Sequence, residues 1–129
     1  MNDMTRQDIL QRIKNGLIVS SQAEGEEPLN SPQILAALAQ AAVNGGAVGI
    51  RAERPENIVA IKKAVSVPVI GIYKVKYPDS EVFITPTLKE ALAVLNTGAE
   101  IIALDATLRK RPNHEKLETI ITEIRQRSD

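Results

Sequence analysis

Residues 45–51, Gly45-Gly46-Ala47-Val48-Gly49-Ile50-Arg51, contain a helix terminator, a short apolar run and a basic residue in that order. The paired glycines favour the end of a helix. The apolar run does not alternate with polar residues, which is typical of a strand buried on both faces in a parallel sheet. Arg51 directly follows this predicted strand. Helix end, buried strand and polar residue recur in this order along the chain.

Helices are predicted on both sides of this segment. Ser31 is a favourable N-cap and Pro32 suits the first helical position, and apolar residues then recur at helical spacing as far as Gly45. Residues 55–64 form the next predicted helix. The first fifteen residues are predicted to form a short amphipathic helix that ends at Asn15-Gly16 and acts as a lid or plug.

The same order predicts four βα units. The predicted strands are residues 17–20, 47–50, 67–72 and 101–104; the later helices are residues 88–96, capped by Thr87, and a last one capped by Asn113. Strands that alternate with helices of this length imply a parallel sheet with right-handed crossovers. Periodicity leaves open whether the sheet is doubly wound or part of a barrel.

Composition narrows the class of protein. The 129 residues are 43% apolar, which fits one domain, and sixteen basic residues balance sixteen acidic ones, which does not favour nucleic acid or an anionic membrane as partner. The chain has no cysteine and no apolar run of the ~18 residues that span a bilayer, so we expect a cytoplasmic protein. The single histidine, His114, lies in a polar turn and is predicted to be exposed, so no metal site is expected.

Polar side chains follow each predicted strand. Gln22, Arg51 and Lys74 come after the first three, and Asp105 with Thr107 after the fourth. In a barrel these positions meet at the C-terminal rim, where active sites lie. Desolvation and the nearby Arg51 would lower the pKa of Lys74 toward that of a general base.

Each of these residues also has a structural interpretation. Gln22 can be part of a loop, and Arg51 can cover helix ends. Asp105 can be a turn residue that bonds local backbone. Lys74 can form a structural salt bridge. The residues alone leave these alternatives open.

Longer motifs carry a resemblance to a known family. They are Gly16–Ser20, Gln22-Ala23, Glu27–Leu29, Ser31-Pro32, Gly45–Ala52, Ile70–Lys74, Asp79–Thr87 and Ile101–Thr107. In their order and spacing, from about residue 16 to 112, they resemble the bacterial N-acetylmannosamine-6-phosphate 2-epimerases.

The resemblance implies a (β/α)8 barrel that interconverts N-acetylmannosamine 6-phosphate and N-acetylglucosamine 6-phosphate without an organic cofactor or metal, in amino-sugar and sialic-acid catabolism. Lys74 matches the family's catalytic lysine, which exchanges the C2 proton. Gln22, Arg51 and Asp105 match residues around the sugar. Three positions depart from the family pattern: Ser21 replaces a cysteine, Asn30 a histidine and Glu53 an asparagine.

The four predicted units correspond to the N-terminal half of such a barrel, with residues 1–129 as a single domain. In the family, the second acid/base, a glutamate, and the phosphate-binding loops belong to the other half, so we expect weak or absent epimerase activity from this chain by itself. We expect the exposed strands to be covered in a homodimer or by a complementary half-barrel. Two alternatives stay open: a non-catalytic half-barrel, and a Schiff-base enzyme that uses Lys74 as nucleophile.

Overall fold

The computed structural model describes residues 4–128. Its elements alternate between helix and strand. In chain order they are α1 (Arg6–Ile13), β1 (Ile18–Ser21), α2 (Pro32–Asn44), β2 (Gly49–Glu53), α3 (Pro55–Ala64), β3 (Val69–Ile72), α4 (Leu88–Leu95), β4 (Ile101–Ile102), a 3-10 turn (Pro112–His114) and α5 (Leu117–Arg125).

The four strands form one parallel sheet in the order β1-β2-β3-β4. A doubly wound sheet reverses its strand order at a switch point, whereas a barrel adds each new strand beside the last. The four described strands show no reversal. The topology therefore favours the barrel over the doubly wound alternative, and the predicted four βα units are confirmed.

The two faces of the sheet differ in burial. One face, here called the outer face, packs against the helices; its residues Ile50, Ala52 and Val69 have no exposed surface and belong to the core. Because side chains alternate along a strand, the neighbouring residues belong to the opposite, inner face. There Ile70 is only partly buried and Ile18 keeps 38% of its surface exposed. The core thus lies between sheet and helices.

Local sequence explains the helix boundaries. The Ser31 hydroxyl accepts a hydrogen bond from the Ile34 N–H at 3.2 Å, and Pro32 begins α2 as predicted. Thr87 caps α4 in a capping box with Glu90, which also fits the prediction. The predicted cap at Asn113 is wrong, because Asn113 lies in the 3-10 turn with a left-handed φ of 56° and α5 begins after Lys116.

Helix α1 lies at the N-terminal end of the sheet. Ile13 approaches Gly49 at the start of β2, and the Arg12 guanidinium donates to the Ser66 carbonyl at 3.3 Å. No residue of α1 is buried. The predicted helix is thus present, and its predicted residues 1–3 lie outside the described residues.

The bounds of all four strands differ from the predicted ones, by one residue at each end of β1, by two at the start of β3, and most clearly in β2 and β4. β2 begins at Gly49 and continues to Glu53, so Arg51 lies inside the strand instead of after it. The reason is that β2 is paired on both sides, with Arg51 opposite Ser20 and Ile70. β4 spans only two residues instead of four.

A hairpin between β3 and α4 accounts for the short β4. Lys74 pairs with Ile84 in an antiparallel bridge, and the Ile84 carbonyl accepts a hydrogen bond from the Asp105 N–H at 3.0 Å. The returning arm of the hairpin occupies the side of β3 on which β4 would otherwise continue.

Within the described residues, no helix combines the length and apolar character needed to cross a membrane.

Candidate active site

The candidate site lies on the inner face at the C-terminal edge of the sheet. Arg51 shares that face because its neighbours Ile50 and Ala52 point into the core. Arg51 is half-buried, and among residues 4–128 no carboxylate lies within ion-pair distance of it. Gln22 follows β1, and its side-chain amide donates to the Ser20 hydroxyl at 2.8 Å. Ser20 is the β1 residue opposite Arg51.

Lys74 lies beyond β3, with Tyr73 between it and the strand. Its ammonium forms a salt bridge with the carboxylate of Glu24, from the loop after β1. The hydrogen bond from Lys74, together with the charges of Lys74 and Lys76, lowers the pKa of Glu24. The salt bridge considered as an alternative for Lys74 is therefore formed, and its partner was not predicted. The contact is exposed to solvent.

Glu53 is a second carboxyl group beside Lys74. It ends β2, keeps only 3% of its surface exposed, and accepts a hydrogen bond from the Lys74 backbone N–H at 3.1 Å. Burial raises the pKa of Glu53, and the hydrogen bond from Lys74 and the nearby Arg54, whose Nε lies 3.6 Å from the carboxylate, offset part of that rise. The sequence identified Glu53 only as a departure from a motif. Strand alternation from Arg51 would have placed it on the inner face.

Asp105 is held in a local turn. Its carboxylate accepts a hydrogen bond from the Thr107 N–H at 2.8 Å. Hydrogen bonds from the side chain and backbone of Thr107 lower the pKa of Asp105, and the charges of Arg111 and Arg109 lower it further. The turn considered as the structural alternative for Asp105 is thus present. Thr107 contacts Asp105 and is otherwise exposed.

The polar residues meet at one edge but do not bond to each other. Among the described residues, no hydrogen bond or ion pair joins any two of the side chains of Gln22, Arg51, Lys74 and Asp105. Ser21 lies apart from them, since its hydroxyl donates to the Leu35 carbonyl on the outer face at 2.8 Å. His114 is exposed as predicted. The edge therefore offers an amide, two cations and carboxylates to a polar ligand between them.

Comparison with known proteins gives the family. The model of the family described as "Putative N-acetylmannosamine-6-phosphate epimerase" matches residues 35–128. The chain belongs to the N-acetylmannosamine-6-phosphate epimerase family.

Individual members of the epimerase family agree with this. The chain is 55% identical over 118 residues to a "Putative N-acetylmannosamine-6-phosphate 2-epimerase" of Listeria innocua, covering 92% of this chain and 51% of that protein. A protein of the same name from Clostridioides difficile is 53% identical over 92% of this chain and 53% of its own length. The chain spans about half the length of the curated relatives it matches.

A solved structure identifies the barrel. The N-acetylmannosamine-6-phosphate 2-epimerase from Clostridium perfringens superposes with a TM-score of 0.93 at 43% identity, over 99% of this chain and 56% of that chain. The fold is therefore four consecutive βα units of the epimerase (β/α)8 barrel, as the sequence predicted.

The structure shows the surroundings of the three residues that depart from the family pattern. Those of Ser21 and Glu53 are described above. Asn30 closes the loop after β1 by donating to the Gly25 carbonyl at 2.7 Å.

Proposed function

We propose that this chain carries the Lys74 side of the active site of an N-acetylmannosamine-6-phosphate 2-epimerase. The observation that supports it is a lysine on the inner face, two residues beyond the end of β3, in a chain whose relatives carry the name of this enzyme. The substrates are N-acetylmannosamine 6-phosphate and N-acetylglucosamine 6-phosphate, which differ at C2. Such sugar phosphates are metabolites of the cytoplasm, the compartment we propose.

In this proposal the salt bridge of Lys74 with Glu24 opens, the ammonium gives a proton to solvent, and the amine then removes the proton from C2 of the open-chain sugar. The electron pair of the C–H bond moves to form the C1–C2 double bond, and the negative charge collects on the former aldehyde oxygen at C1. Arg51 lies on the same face without a carboxylate partner in the described chain, so its guanidinium is suited to stabilise this oxyanion. The Gln22 amide can donate to and accept from hydroxyl and N-acetyl groups, and ionised Asp105 accepts hydrogen bonds from hydroxyl or N–H groups.

Inversion at C2 also needs a proton donor on the opposite face of the intermediate. Within residues 4–128, Lys74 lies on the inner face of the sheet and would reach C2 from one side of the sugar only. The apolar residues Ile18 and Ile70 of the same face remain partly exposed. We propose that a second half-barrel covers this face, either a second copy of the chain or a complementary half. Light scattering after size-exclusion chromatography should give a mass of twice 14.0 kDa for the dimer. A monomer that gains activity only with a complementary half would support the second form.

The activity is tested by proton exchange at C2. Purified chain is incubated with N-acetylglucosamine 6-phosphate in heavy water, and loss of the C2 proton signal is followed by NMR. Lys74→Ala should abolish the exchange. Lys76→Ala is the matched control, because Lys76 is an exposed lysine two residues further along and should leave the rate unchanged.

Each outcome decides between the alternatives. Exchange that depends on Lys74 supports Lys74 as the base that removes the C2 proton from one face of the sugar, even if net epimerisation is slow. Exchange that survives Lys74→Ala contradicts the assigned role. No exchange by the wild-type chain, alone or with the complementary half, would favour the non-catalytic half-barrel.

A further inference from the structure

The backbone around Lys74 pairs with the returning arm of the hairpin through Ile84, and two side chains hold it as well. The ladder of β3 ends at Ile72, and the next two N–H groups bond elsewhere. The Tyr73 N–H donates to the Thr85 hydroxyl oxygen at 3.1 Å, and the Lys74 N–H donates to the Glu53 carboxylate at 3.1 Å. Successive N–H groups of an extended chain point to opposite sides. The backbone of this segment is therefore held at Lys74 from the β2 side by Glu53, and at the adjacent Tyr73 from the opposite side by Thr85.

Thr85 connects the hairpin to the segment that follows β4. It has no exposed surface, its hydroxyl donates to the Ala103 carbonyl at 2.7 Å, and its own N–H donates to the Tyr73 carbonyl at 2.8 Å. Ala103 precedes Asp105 by two residues. A single buried hydroxyl thus joins the backbone that carries Lys74 to the backbone that carries Asp105.

The conformation of Thr85 is unusual for its residue type. Its φ is 46°, in the left-handed region, where the branched Cβ of threonine meets its own backbone. Such conformations persist only where surrounding interactions hold them, and they concentrate at functional sites. The three hydrogen bonds of Thr85 are those interactions. The left-handed φ and the three hydrogen bonds together make Thr85 a candidate for a role beyond local packing.

We propose that Thr85 and Glu53 are positioning residues for Lys74: Glu53 holds its backbone N–H and Thr85 holds the adjacent Tyr73, which together keep the amine at the distance and angle needed for proton transfer. The proposal rests on the proposed role of Lys74 as the base. Neither residue needs to touch substrate. Their effect is on where the amine lies, so loss of either acceptor should lower the rate at saturating substrate more than it changes KM.

The experiment compares four variants in pairs. Thr85→Val keeps the shape and the branched Cβ but removes the hydroxyl, whereas Thr85→Ser keeps the hydroxyl. Glu53→Leu removes the acceptor, whereas Glu53→Gln keeps an oxygen that can accept the Lys74 N–H. Thr87→Val is the control, because it removes a buried hydroxyl that bonds to Glu90 at the start of α4 and not to the backbone of Tyr73 or Lys74.

We expect Thr85→Val and Glu53→Leu to lower kcat for C2 exchange about 10- to 100-fold, since a displacement of ~1 Å can cost about 100-fold in rate. KM should stay within about threefold. Thr85→Ser and Glu53→Gln should recover most of the rate. Thr87→Val should lower the melting temperature and leave kcat unchanged. If Thr85→Val behaves like Thr87→Val, Thr85 is only structural and the proposal is overturned.

A second measurement separates this proposal from the proposed activity. Backbone amide exchange and the 13Cε signal of Lys74 are recorded by NMR for the same proteins without substrate. Faster exchange at Tyr73 and a shifted Lys74 signal in Thr85→Val, both restored in Thr85→Ser, would support the positioning role even if the wild-type chain shows no C2 exchange. Signals identical to wild type in Thr85→Val would overturn it, whatever the activity.

Discussion

Gly71 lies in β3, three residues before Lys74, where its Cα faces the helices on the outer face. A methyl group added there would lie 2.6 Å from Val94 Cγ1, 3.0 Å from Ile58 Cδ1 and 3.1 Å from Ala99 Cβ, although ordinary contact begins at 3.4 Å. Val94 and Ile58 have no exposed surface, so neither can turn toward solvent. Relief requires that α4 or β3 move.

We therefore expect Gly71→Ala to destabilise the chain by about 1–3 kcal/mol, the usual cost of an extra methylene in a packed core. The matched control is Gly49→Ala in the adjacent strand, where a methyl group would meet its neighbours at 3.4 Å. There the reduced freedom of the unfolded chain should offset the contact, giving a change of less than about 1 kcal/mol.

Urea unfolding followed by circular dichroism measures both variants, and a second change tests the cause. Val94→Ala removes the nearest obstacle, so in the double variant the new methyl group fills part of the space that Val94 leaves. The double variant should be at least about 1 kcal/mol more stable than the sum of the single effects predicts. Additive effects, or a Gly71→Ala protein as stable as wild type, would refute the packing argument.

Three further predictions concern charge and capping. Burial raises the pKa of Glu53, so the native chain holds that proton more tightly than the unfolded chain and loses stability as the pH rises from the ordinary glutamate pKa through the raised one. Glu53→Gln should therefore gain stability relative to wild type across that window in urea titrations, and a pH-independent difference would contradict this. Lys74→Ala removes the groups that lower the pKa of Glu24 most, so the 13C-detected titration of Glu24 should move up toward its ordinary value; an unchanged midpoint would mean that the ion pair is absent in solution. Ser31→Ala removes the cap of α2 and should cost about 1 kcal/mol in the same urea assay, with no loss expected if the Ile34 N–H finds water instead.

The fold was predictable from local signals that act within one element. Ser31-Pro32 and Thr87 marked helix starts because capping depends on the side chain and the adjacent backbone alone. Strand lengths were not predictable in the same way. Arg51 ended the apolar run, yet pairing on both sides extended β2 through it. Pairing depends on neighbours that are distant in sequence.

The site was predicted as a set of positions but not as a set of contacts. The sequence predicted that Gln22, Lys74 and Asp105 lie at one edge of the sheet, because each follows a strand and the C-terminal ends of parallel strands meet at one edge. Glu24, Glu53 and Thr85 were missed as neighbours of Lys74, because their contacts with it or with Tyr73 join loops and strands 12 to 50 residues apart. Strand alternation from Arg51 could have predicted that Glu53 lies on the inner face. Thr85 was present in the sequence analysis only as part of the Asp79–Thr87 motif.

The sheet has one narrow seam. β3 and β4 share only the pairs Ile70 with Ile101 and Gly71 with Ile102, whereas the other strand pairs are each four residues long. The described chain therefore has a well-paired part, β1 to β3 with their helices, and a part containing β4 that is joined to it by fewer strand pairs. The hairpin between β3 and α4 connects these two parts. A thermal fluctuation that parts the sheet would open along this line and move Lys74 and Asp105 apart, so the candidate site would lose its geometry while the helix-covered core stayed packed.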